Sequence, residues 1–369
     1  MSSKHIIVIG GGVVGACATY YLSRNIGIRV TVIEKTGVAC NASGKAGGFL
    51  AYNWSDDTAI GDLSRKSFKL HGELATELDG ENKYGYRKVD TYSVLYQGGK
   101  SKPKTKQDMD VMAWIDASGI RHMEKLGNMT DTAQVHPRLF TETLFETAKQ
   151  TGNVTLRTGF GVSHVIIDDD QIHGVQLDNG EIINGDSVVV CMGAWSGQLP
   201  TLHLPIDGQR AHSIVFKPQN PVPAQMLFTT ILDGTRTHHP EVYPRPDGTV
   251  YMCGATDNTK LPSSADQIQV DSQAIRELER LRDTLAPELY GGDKLIAQQA
   301  CYLPVSEDGT PFVGPHPKYK QLIIAAGHSC WGILQAPATG LMISELIVND
   351  RISCVDREAV EALDPTNRC

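Results

Sequence analysis

The chain has 369 residues, of which 41% are hydrophobic and 21% charged, with a formal net charge of −8 at pH 7. This length favours two domains, and the acidic balance argues against nucleic-acid binding, which needs a basic face to neutralise phosphates. No apolar run approaches the ~20 residues that span a bilayer, so we expect no transmembrane segment. The eight cysteines include no C-x-x-C pair, so we expect no metal site, reduced thiols and a cytoplasmic location.

The N-terminal stretch HIIVIGGGVVGACATYYL predicts a strand, a glycine turn and a helix. Residues 6–9 are an apolar β-branched run, which we interpret as a buried strand and not as a signal peptide. Residues 14–24 have helical spacing, and residues 29–33 predict a second strand. Together they form a βαβ unit.

The glycine turn has the spacing of a dinucleotide-binding site. Gly10, Gly12 and Gly15 form G-x-G-x-x-G between the strand and the helix, and Glu34 follows 34 − 15 = 19 positions later. Such glycines permit a tight turn, close approach of backbone N–H groups to a pyrophosphate and close helix–strand packing, while the acid accepts hydrogen bonds from ribose hydroxyls. We predict binding of an adenine dinucleotide, and this unit alone leaves NAD and FAD both open.

The remaining elements alternate between helical and extended patterns. Helices are predicted at 60–78, 140–150, 267–285 and 333–348. Strands are predicted at 91–96, on either side of an Asn179-Gly180 hairpin signal, before Gly254 and at 321–328.

Four sequence blocks resemble the FAD-dependent oxidoreductases of the D-amino-acid oxidase superfamily, which includes glycine oxidase and sarcosine oxidase. They are the βαβ unit, ASGKAGGFLA at 42–51, DSVVVCMGAWS at 186–196, and the C-terminal ACYLPVSEDGTPFVGP with GHSCWGILQAPATG. The segments ASGKAGG, LHGELA, YGYR and RAHSIV are most similar in sequence to those of fungal, plant and protist members without a known substrate. The resemblance runs through the whole chain and favours FAD over NAD.

The resemblance implies an α/β fold with two discontinuous domains. A Rossmann-like FAD-binding domain of the GR2 type would comprise residues 1–60, 135–205 and 295–369, and a substrate domain on a mixed or antiparallel sheet would comprise 61–134 and 206–294. The residues expected to bind FAD are Gly10, Gly12, Val13, Val14, Gly15, Glu34, Lys35, Ala42, Ser43, Gly44, Lys45, Ala46, Gly47, Gly48, Phe49, Leu50, Val162, Gly193, Trp195, Cys301, His328, Gly332, Ile333, Leu334 and Gln335. Lys45 would meet either a phosphate or a flavin carbonyl.

The family chemistry is oxidation of an amine, usually of an amino acid, by hydride transfer to flavin N5. Relatives that act on amino acids hold the carboxylate with an arginine before a proline, where this chain has Leu303 in LPVSEDG. Glycine oxidase-like members place a tyrosine three positions before a Pro-Arg, where this chain has Glu241 before VYPRPDG. Both departures disfavour an ordinary α-amino acid as the substrate.

Several residues are candidates for the substrate pocket. Arg210 and His328 are the candidate catalytic residues, although His328 has an equally good interpretation as a helix cap. Arg210, His212 and Arg245 are alternative anchors or structural residues. The candidate substrate-contacting residues are Tyr52, Asn53, His212, Arg245, Leu303 and Trp331.

Cys301 lies 308 − 301 = 7 positions before Asp308, the spacing at which sarcosine oxidase-like members bond a cysteine to the flavin 8α-methyl carbon. Non-covalent relatives also carry a small residue there, so the thiol is either a flavin bond or a neighbour of the ring.

The sequence thus predicts a FAD-dependent oxidoreductase of a small-molecule amine or amino-acid-like substrate, with oxygen, a quinone or a protein as electron acceptor. A flavin-bound trafficking or regulatory protein without enzymatic activity is the alternative, and NAD-linked oxidoreduction is a weaker one. The oligomeric state is unassigned.

Overall fold

The apolar run near the N-terminus forms an inner strand of a six-stranded sheet in the computed structural model, which describes residues 3–98, 114–200, 202, 204–287 and 295–368. The strands are β1 (Lys4–Ile9), β2 (Ile28–Glu34), β3 (Phe49–Ala51), β4 (Arg87–Lys88), β5 (Asp90–Gln97), β6 (Ile120–Gly127), β7 (Thr132–Gln134), β8 (Val154–Thr158), β9 (Val162–Asp168), β10 (Gln171–Leu177), β11 (Ile182–Asn184), β12 (Ser187–Val190), β13 (Ile206–Phe216), β14 (Gln225–Asp233), β15 (Arg236–His238), β16 (Glu241–Pro244), β17 (Val250–Asp257), β18 (Leu295–Ser306), β19 (Phe312–Pro315) and β20 (Leu322–Ala326). The helices are α1 (Val13–Ser23), α2 (Ala42–Lys45), α3 (Gly61–Leu78), α4 (Gly80–Tyr84), α5 (Pro137–Gln150), α6 (Ser272–Leu285), α7 (Gly332–Asn349) and α8 (Arg357–Leu363).

The six-stranded sheet has the order β19-β20-β12-β1-β2-β8 and is parallel except for β19. Alternate residues of β1 point to opposite faces of this sheet, and because both sets are apolar, each face is covered by other elements. Ile6 and Val8 pack with α1, α5 and α7, whereas Ile7 and Ile9 pack with the small sheet of β9, β10 and β11. The carboxyl ends of β1 and β2 therefore open into one crevice, where ligands of such sheets bind.

The second large sheet has eight strands in the order β18-β13-β17-β16-β14-β5-β6, with β15 paired to β14. Its pairings are antiparallel except for β14 with β5, so the predicted α/β fold with a mixed sheet is confirmed. One face packs against α6 through residues such as Ile214 and Met252. The opposite face, with Tyr243 and Tyr251, packs against the segment that contains β3.

Two predicted boundaries differ from the structure. The predicted domain boundary at residue 295 assigns β18 to the FAD-binding domain, whereas β18 pairs with β13 along its whole length in the eight-stranded sheet. The helix expected from residue 267 begins at Ser272, because the Asp271 side chain accepts a hydrogen bond from the Gln273 N–H and caps it there. The division into two discontinuous domains stays our proposal.

Helix α7 has an apolar composition because it lies in the core. The segment Ser329–Asn349 is, among the described residues, the one helix long and apolar enough to cross a membrane, with a mean hydropathy of 1.3, and 67% of it is buried inside the protein. It packs against α1 so closely that a Cβ on Gly340 would lie 2.5 Å from the Cys17 carbonyl carbon. Its amino-terminal end thereby reaches the crevice beside β1.

His71 of α3 links the stability of this region to pH. Its ring is fully buried, its Nε2–H donates to the Ile333 carbonyl at 2.9 Å, and burial lowers the pKa of the imidazole to about 4 from 6.5. Between these two values the unfolded chain binds a proton that the folded chain does not, so the free energy of unfolding falls as the pH drops from about 6.5 to about 4. At pH 5 we expect His71 alone to cost about 2 kcal/mol relative to pH 8.

The test compares thermal unfolding at pH 8 and pH 5 for the wild type and for His71→Gln, whose amide keeps a donor for the Ile333 carbonyl. We expect the variant to lose less stability on acidification. His122→Gln, on exposed His122 of β6, is the matched control and should keep the wild-type pH dependence. Equal pH dependence in the wild type and His71→Gln would contradict the assignment.

Candidate flavin and substrate site

The glycine turn after β1 is shaped by close backbone contacts. Gly10 has φ +116°, and a Cβ at this position would lie 2.2 Å from the Cys191 carbonyl oxygen at the end of β12. A Cβ on Gly15 would lie 2.1 Å from the Gly10 carbonyl oxygen. Only glycine fits at either position, and the result is that the amino-terminal end of α1 faces the crevice without an intervening side chain.

Glu34 closes β2 at the predicted position and is held by three backbone donors. Its Oε2 accepts from the Gly11 N–H at 2.6 Å, and its Oε1 accepts from Thr36 at 2.8 Å and Gly37 at 3.2 Å. The carboxylate also lines the crevice. A carboxylate fixed in this way at the end of β2 suits the hydroxyls of an adenosine ribose.

The segment 42–46 docks between α1 and β18. The Ser43 hydroxyl accepts from the Val13 N–H at 2.9 Å, so it lies at the amino-terminal end of α1 where a phosphate is expected. Gly44 is required because a Cβ would lie 1.8 Å from the Ala39 carbonyl oxygen. Lys45 does not line the crevice, since its Nζ donates to the Ala300 carbonyl at 2.8 Å and burial lowers its pKa. In this structure Lys45 anchors the segment to β18, and its predicted contact with a phosphate or a flavin carbonyl stays a prediction.

Residues 47–50 continue under the eight-stranded sheet. A Cβ on Gly47 would lie 2.1 Å from the Tyr243 ring, and one on Gly48 would lie 2.0 Å from the Val135 carbonyl oxygen. Leu50 is fully buried in β3, which pairs with β7. The segment is thus clamped from both sides, which gives a fixed surface for a flat ring.

A cavity of about 370 Å³ extends along these elements, within the range of small-molecule sites. Its lining includes these residues expected from the sequence: Gly10, Gly12, Val13, Val14, Glu34, Lys35, Ala42, Ser43, Ala46, Val162, Gly193, Trp195, Leu303, His328, Gly332 and Ile333. The other expected cofactor residues, Gly15, Gly44, Lys45, Gly47, Gly48, Phe49, Leu50, Cys301, Leu334 and Gln335, are not in this lining.

Sequence reasoning missed several residues of the cavity wall. Asn41 exchanges two hydrogen bonds with the backbone of Tyr302, at 3.0 and 3.2 Å, and both residues line the cavity. Phe160 and Met192 also line it. Asn41 directly precedes the ASGK block and Met192 lies inside VVVCMGAWS, so those blocks point to both residues, whereas Phe160 lies outside the four blocks.

His328 lies in the cavity wall before the first turn of α7. It is 3% exposed, its Nε2 is 3.0 Å from the Thr339 hydroxyl, and burial lowers its pKa to about 4. The imidazole is therefore neutral at pH 7 and carries no positive charge to the flavin. Positive potential at this end comes instead from the N–H groups at the start of α7, where Gly332 and Ile333 line the cavity.

Cys301 lies on β18 and is 6% exposed. Burial raises the pKa of its thiol to about 11, an effect that the nearby Lys45 ammonium partly opposes. Because the thiolate is the reactive form, this cysteine is a protonated, shielded thiol at pH 7.

We expect FAD to be bound non-covalently. After acid precipitation of the purified protein, the yellow colour should move to the supernatant, and Cys301→Ser should retain wild-type FAD content. Colour that stays in the wild-type pellet but leaves the Cys301→Ser pellet would show a covalent bond instead.

Arg210 and His212 lie away from the cavity in this structure, on the side of the sheet opposite to the one predicted for a substrate anchor. The period of two along β13 puts them with Ile214 on the α6 side of the sheet. The Arg210 guanidinium pairs with Asp257 at 2.9 Å and donates to the Gln269 carbonyl at 3.0 Å. The His212 Nε2 accepts from the Asp271 N–H at 3.1 Å. Both residues thus fasten α6 to the sheet.

Arg245 supports the segment of residues 42–50, which we call the flavin segment, and is not in the cavity lining. It is 8% exposed, its guanidinium donates to the Ala46 carbonyl at 3.2 Å, and its guanidinium carbon lies 5.2 Å from the Tyr251 ring centroid. Burial lowers its pKa.

The remaining substrate candidates separate into two groups. Tyr52 packs edge-on against Phe68 of α3, and Asn53 is exposed. Trp331 contacts Trp54 with ring centroids 6.3 Å apart, beside the start of α7. Trp331 therefore lies beside the end of α7 that reaches the cavity, and its ring contact is with Trp54, the residue that follows Asn53.

Three features of the crevice match the parts of FAD. A glycine turn that exposes the end of α1, a carboxylate fixed at the end of β2 and a clamped glycine-rich segment define a dinucleotide-binding flavoprotein. The chain belongs to the FAD-dependent oxidoreductase family, whose pattern, described as "FAD dependent oxidoreductase", matches residues 5–346. Its cofactor is FAD, and the NAD-linked alternative is discarded.

Individual relatives agree with this family. A Schizosaccharomyces pombe protein named as an oxidoreductase without a stated substrate is 31% identical, over 99% of this chain and 98% of its own length. The glycine oxidase of Pseudomonas putida is 26% identical, over 94% of each protein. Among solved structures, glycine oxidase from Geobacillus kaustophilus has the same fold, with a TM-score of 0.80 at 20% identity over 96% of this chain and 97% of that one.

Proposed function

We propose that this protein oxidises a small amine or amino-acid-like substrate with bound FAD. Support comes from the names of the similar proteins, which include glycine oxidase and an L-proline dehydrogenase of P. horikoshii. Bound FAD would supply the two-electron acceptor for the carbon–hydrogen bond beside the substrate nitrogen.

The observation that carries the proposal is the face of the eight-stranded sheet that covers residues 45–49. On this face Phe228, Glu241, Cys253 and Gln299 are each only partly buried, and Phe228 and Cys253 pack in the same cluster as Phe49 and Tyr243. Interior polar and aromatic side chains that keep exposed surface indicate room for a small molecule next to the cofactor.

The chain's own residues do three things in this account. Glu34, Ser43 and the end of α1 hold the dinucleotide. Gly47 and Gly48 let the segment after α2 pack against the Tyr243 ring and the Val135 carbonyl oxygen, which fixes its position. The start of α7 stabilises negative charge at the flavin, because unpaired N–H groups at a helix N-terminus carry a partial positive charge.

A carboxylate anchor of the family type is missing from the described cavity wall. Leu303 lines the cavity where relatives have the arginine, and a leucine offers no hydrogen bond. Arg210 and Arg245 are engaged elsewhere, with Asp257 and with the Ala46 carbonyl. Because the arginine that would hold a substrate carboxylate is missing from this wall, the alternative of a flavin protein without enzymatic activity is tested as well.

The experiment is incubation of the FAD-loaded protein with a panel of primary amines, N-methylamines and amino acids, in air and with an artificial electron acceptor. We expect an aldehyde, ketone or keto acid from at least one panel member, measured by mass spectrometry after trapping of the carbonyl. A yellow, folded protein that forms no carbonyl product from any member would favour the non-enzymatic alternative.

A further inference from the structure

A row of side chains crosses the sheet face above the flavin segment. Strand register places Phe228 opposite Glu241, Glu241 opposite Cys253, Cys253 opposite Ser213, and Ser213 opposite Gln299. Residues directly opposite each other in a sheet share one face. The row thus brings one carboxylate, Glu241, to the face that packs on residues 45–49.

Glu241 has hydrogen-bond donors but no cationic partner in the described part of the chain. The Tyr243 hydroxyl donates to its Oε2, and the Cys253 thiol is 3.7 Å from the same oxygen. No lysine or arginine nitrogen of the described residues lies within 4.0 Å of it. Burial raises its pKa, a cost that an incoming cation would offset.

Glu241 also lies near the FAD cavity. Its charge raises the pKa of the Cys330 thiol, after the larger effect of burial, and Cys330 lines that cavity beside Gly332 at the start of α7. Geometry agrees, because Phe228 opposite Glu241 contacts Trp54, and Trp54 contacts Trp331 directly before α7. A group held by Glu241 would therefore lie on the side of the sheet that faces the start of α7.

An aromatic cluster adjoins this carboxylate, because the Tyr243 hydroxyl donates to it and Phe228 lies opposite it in the sheet. Ring centroids are 4.9 Å apart for Phe49 and Trp54, 5.0 Å for Trp54 and Phe228, 5.9 Å for Phe228 and Tyr243, and 6.3 Å for Trp54 and Trp331. We call these five residues the aromatic cage. Aromatic faces attract cations, and a cage of them with a carboxylate is a site for an ammonium group.

We propose that Glu241 and the aromatic cage bind the cationic nitrogen of the substrate, and that the protein prefers amines without an α-carboxylate to amino acids. This inference rests on the proposed function. The reason for the preference is that a substrate carboxylate would meet the Glu241 charge and find Leu303 in place of the family's arginine, so it would lose its water without a partner.

Binding is tested without turnover by calorimetry on the FAD-loaded protein with three probes of similar size. Choline is a cation, glycine betaine adds a carboxylate, and 3,3-dimethyl-1-butanol is the neutral counterpart of choline. We expect choline to bind at least tenfold more tightly than either of the others. Equal binding of choline and 3,3-dimethyl-1-butanol, or no binding of choline, overturns the inference.

Two variants assign the site. Glu241→Gln keeps an acceptor for the Tyr243 hydroxyl and should weaken choline binding about 30-fold, as loss of a partly desolvated charge partner does. Phe228→Leu should weaken it about fivefold through the lost cation–π contact. Glu124→Gln, on the exposed Glu124 of β6 in the same sheet, is the matched control. Wild-type choline affinity in Glu241→Gln, with FAD content retained, overturns the inference.

Failure of this inference is distinguishable from failure of the proposed function. If choline binds through Glu241 but no amine yields a carbonyl product, the cation site stands and the oxidation is wrong. If amines are oxidised equally well by the wild type and Glu241→Gln, the oxidation stands and the cation site is wrong.

Discussion

Replacement of Gly10 with alanine is expected to lower the affinity for FAD by about 100-fold or more. The new Cβ would lie 2.2 Å from the Cys191 carbonyl oxygen, and this distance is far below any van der Waals contact. The turn must move away from β12, so the end of α1 loses its position at the cavity. A 100-fold loss corresponds to about 2.8 kcal/mol, a size that backbone strain and a displaced phosphate site together reach.

Gly27→Ala is the matched control, because Gly27 also has a positive φ, +81°, but has no atom within 4 Å of a Cβ. It should cost about 1 kcal/mol of stability and leave the affinity for FAD unchanged. The affinity of both variants for FAD is measured by titration of the apoprotein with FAD, with the quenching of flavin fluorescence as the readout. Equal affinities for the two variants would show that the contact with Cys191 does not shape the site.

The second large effect is expected for Glu34→Gln. The carboxylate accepts hydrogen bonds from three backbone N–H groups and lines the cavity where the ribose is expected. The variant therefore loses charged hydrogen bonds to the backbone and to the ribose hydroxyls. One amide oxygen replaces two carboxylate oxygens, and its NH₂ group faces backbone donors. Charged hydrogen bonds contribute about 1.5–3 kcal/mol each, so we expect FAD to bind about 100-fold more weakly.

The same fluorescence titration applies to this variant, with circular dichroism to show that the βαβ unit is folded. Glu146→Gln, on the exposed Glu146 of α5, changes the net charge equally and should bind FAD as the wild type does. Unchanged affinity in Glu34→Gln would contradict the role of Glu34 at the ribose.

The cofactor half of the site was predictable because its determinants are local in sequence. Strand, turn, helix and acid all lie within residues 4–34, and Gly10 and Gly15 of the turn each have a steric reason in the structure. Backbone register within one βαβ unit follows from periodicity, so no distant partner has to be known.

The proposed substrate half was not predictable in the same way, because its residues meet through the register of distant strands. The side of the sheet on which Arg210 lies depends on the pairing of β13 with β17 and β18, and its partner Asp257 is 47 positions away. Glu241 was visible only as a departure from the family pattern. Its closeness to Phe228 and Cys253 emerges only when β14, β16 and β17 are paired.

The anaerobic visible spectrum of the purified, FAD-loaded protein before and after addition of an amine tests the account most directly. Oxidised flavin absorbs at about 370 and 450 nm, and a substrate that delivers two electrons bleaches the band at the longer wavelength. We predict bleaching by a primary or N-methylated amine at a concentration at which its α-carboxylated counterpart has little effect. A yellow protein whose spectrum no amine or amino acid changes would contradict the account.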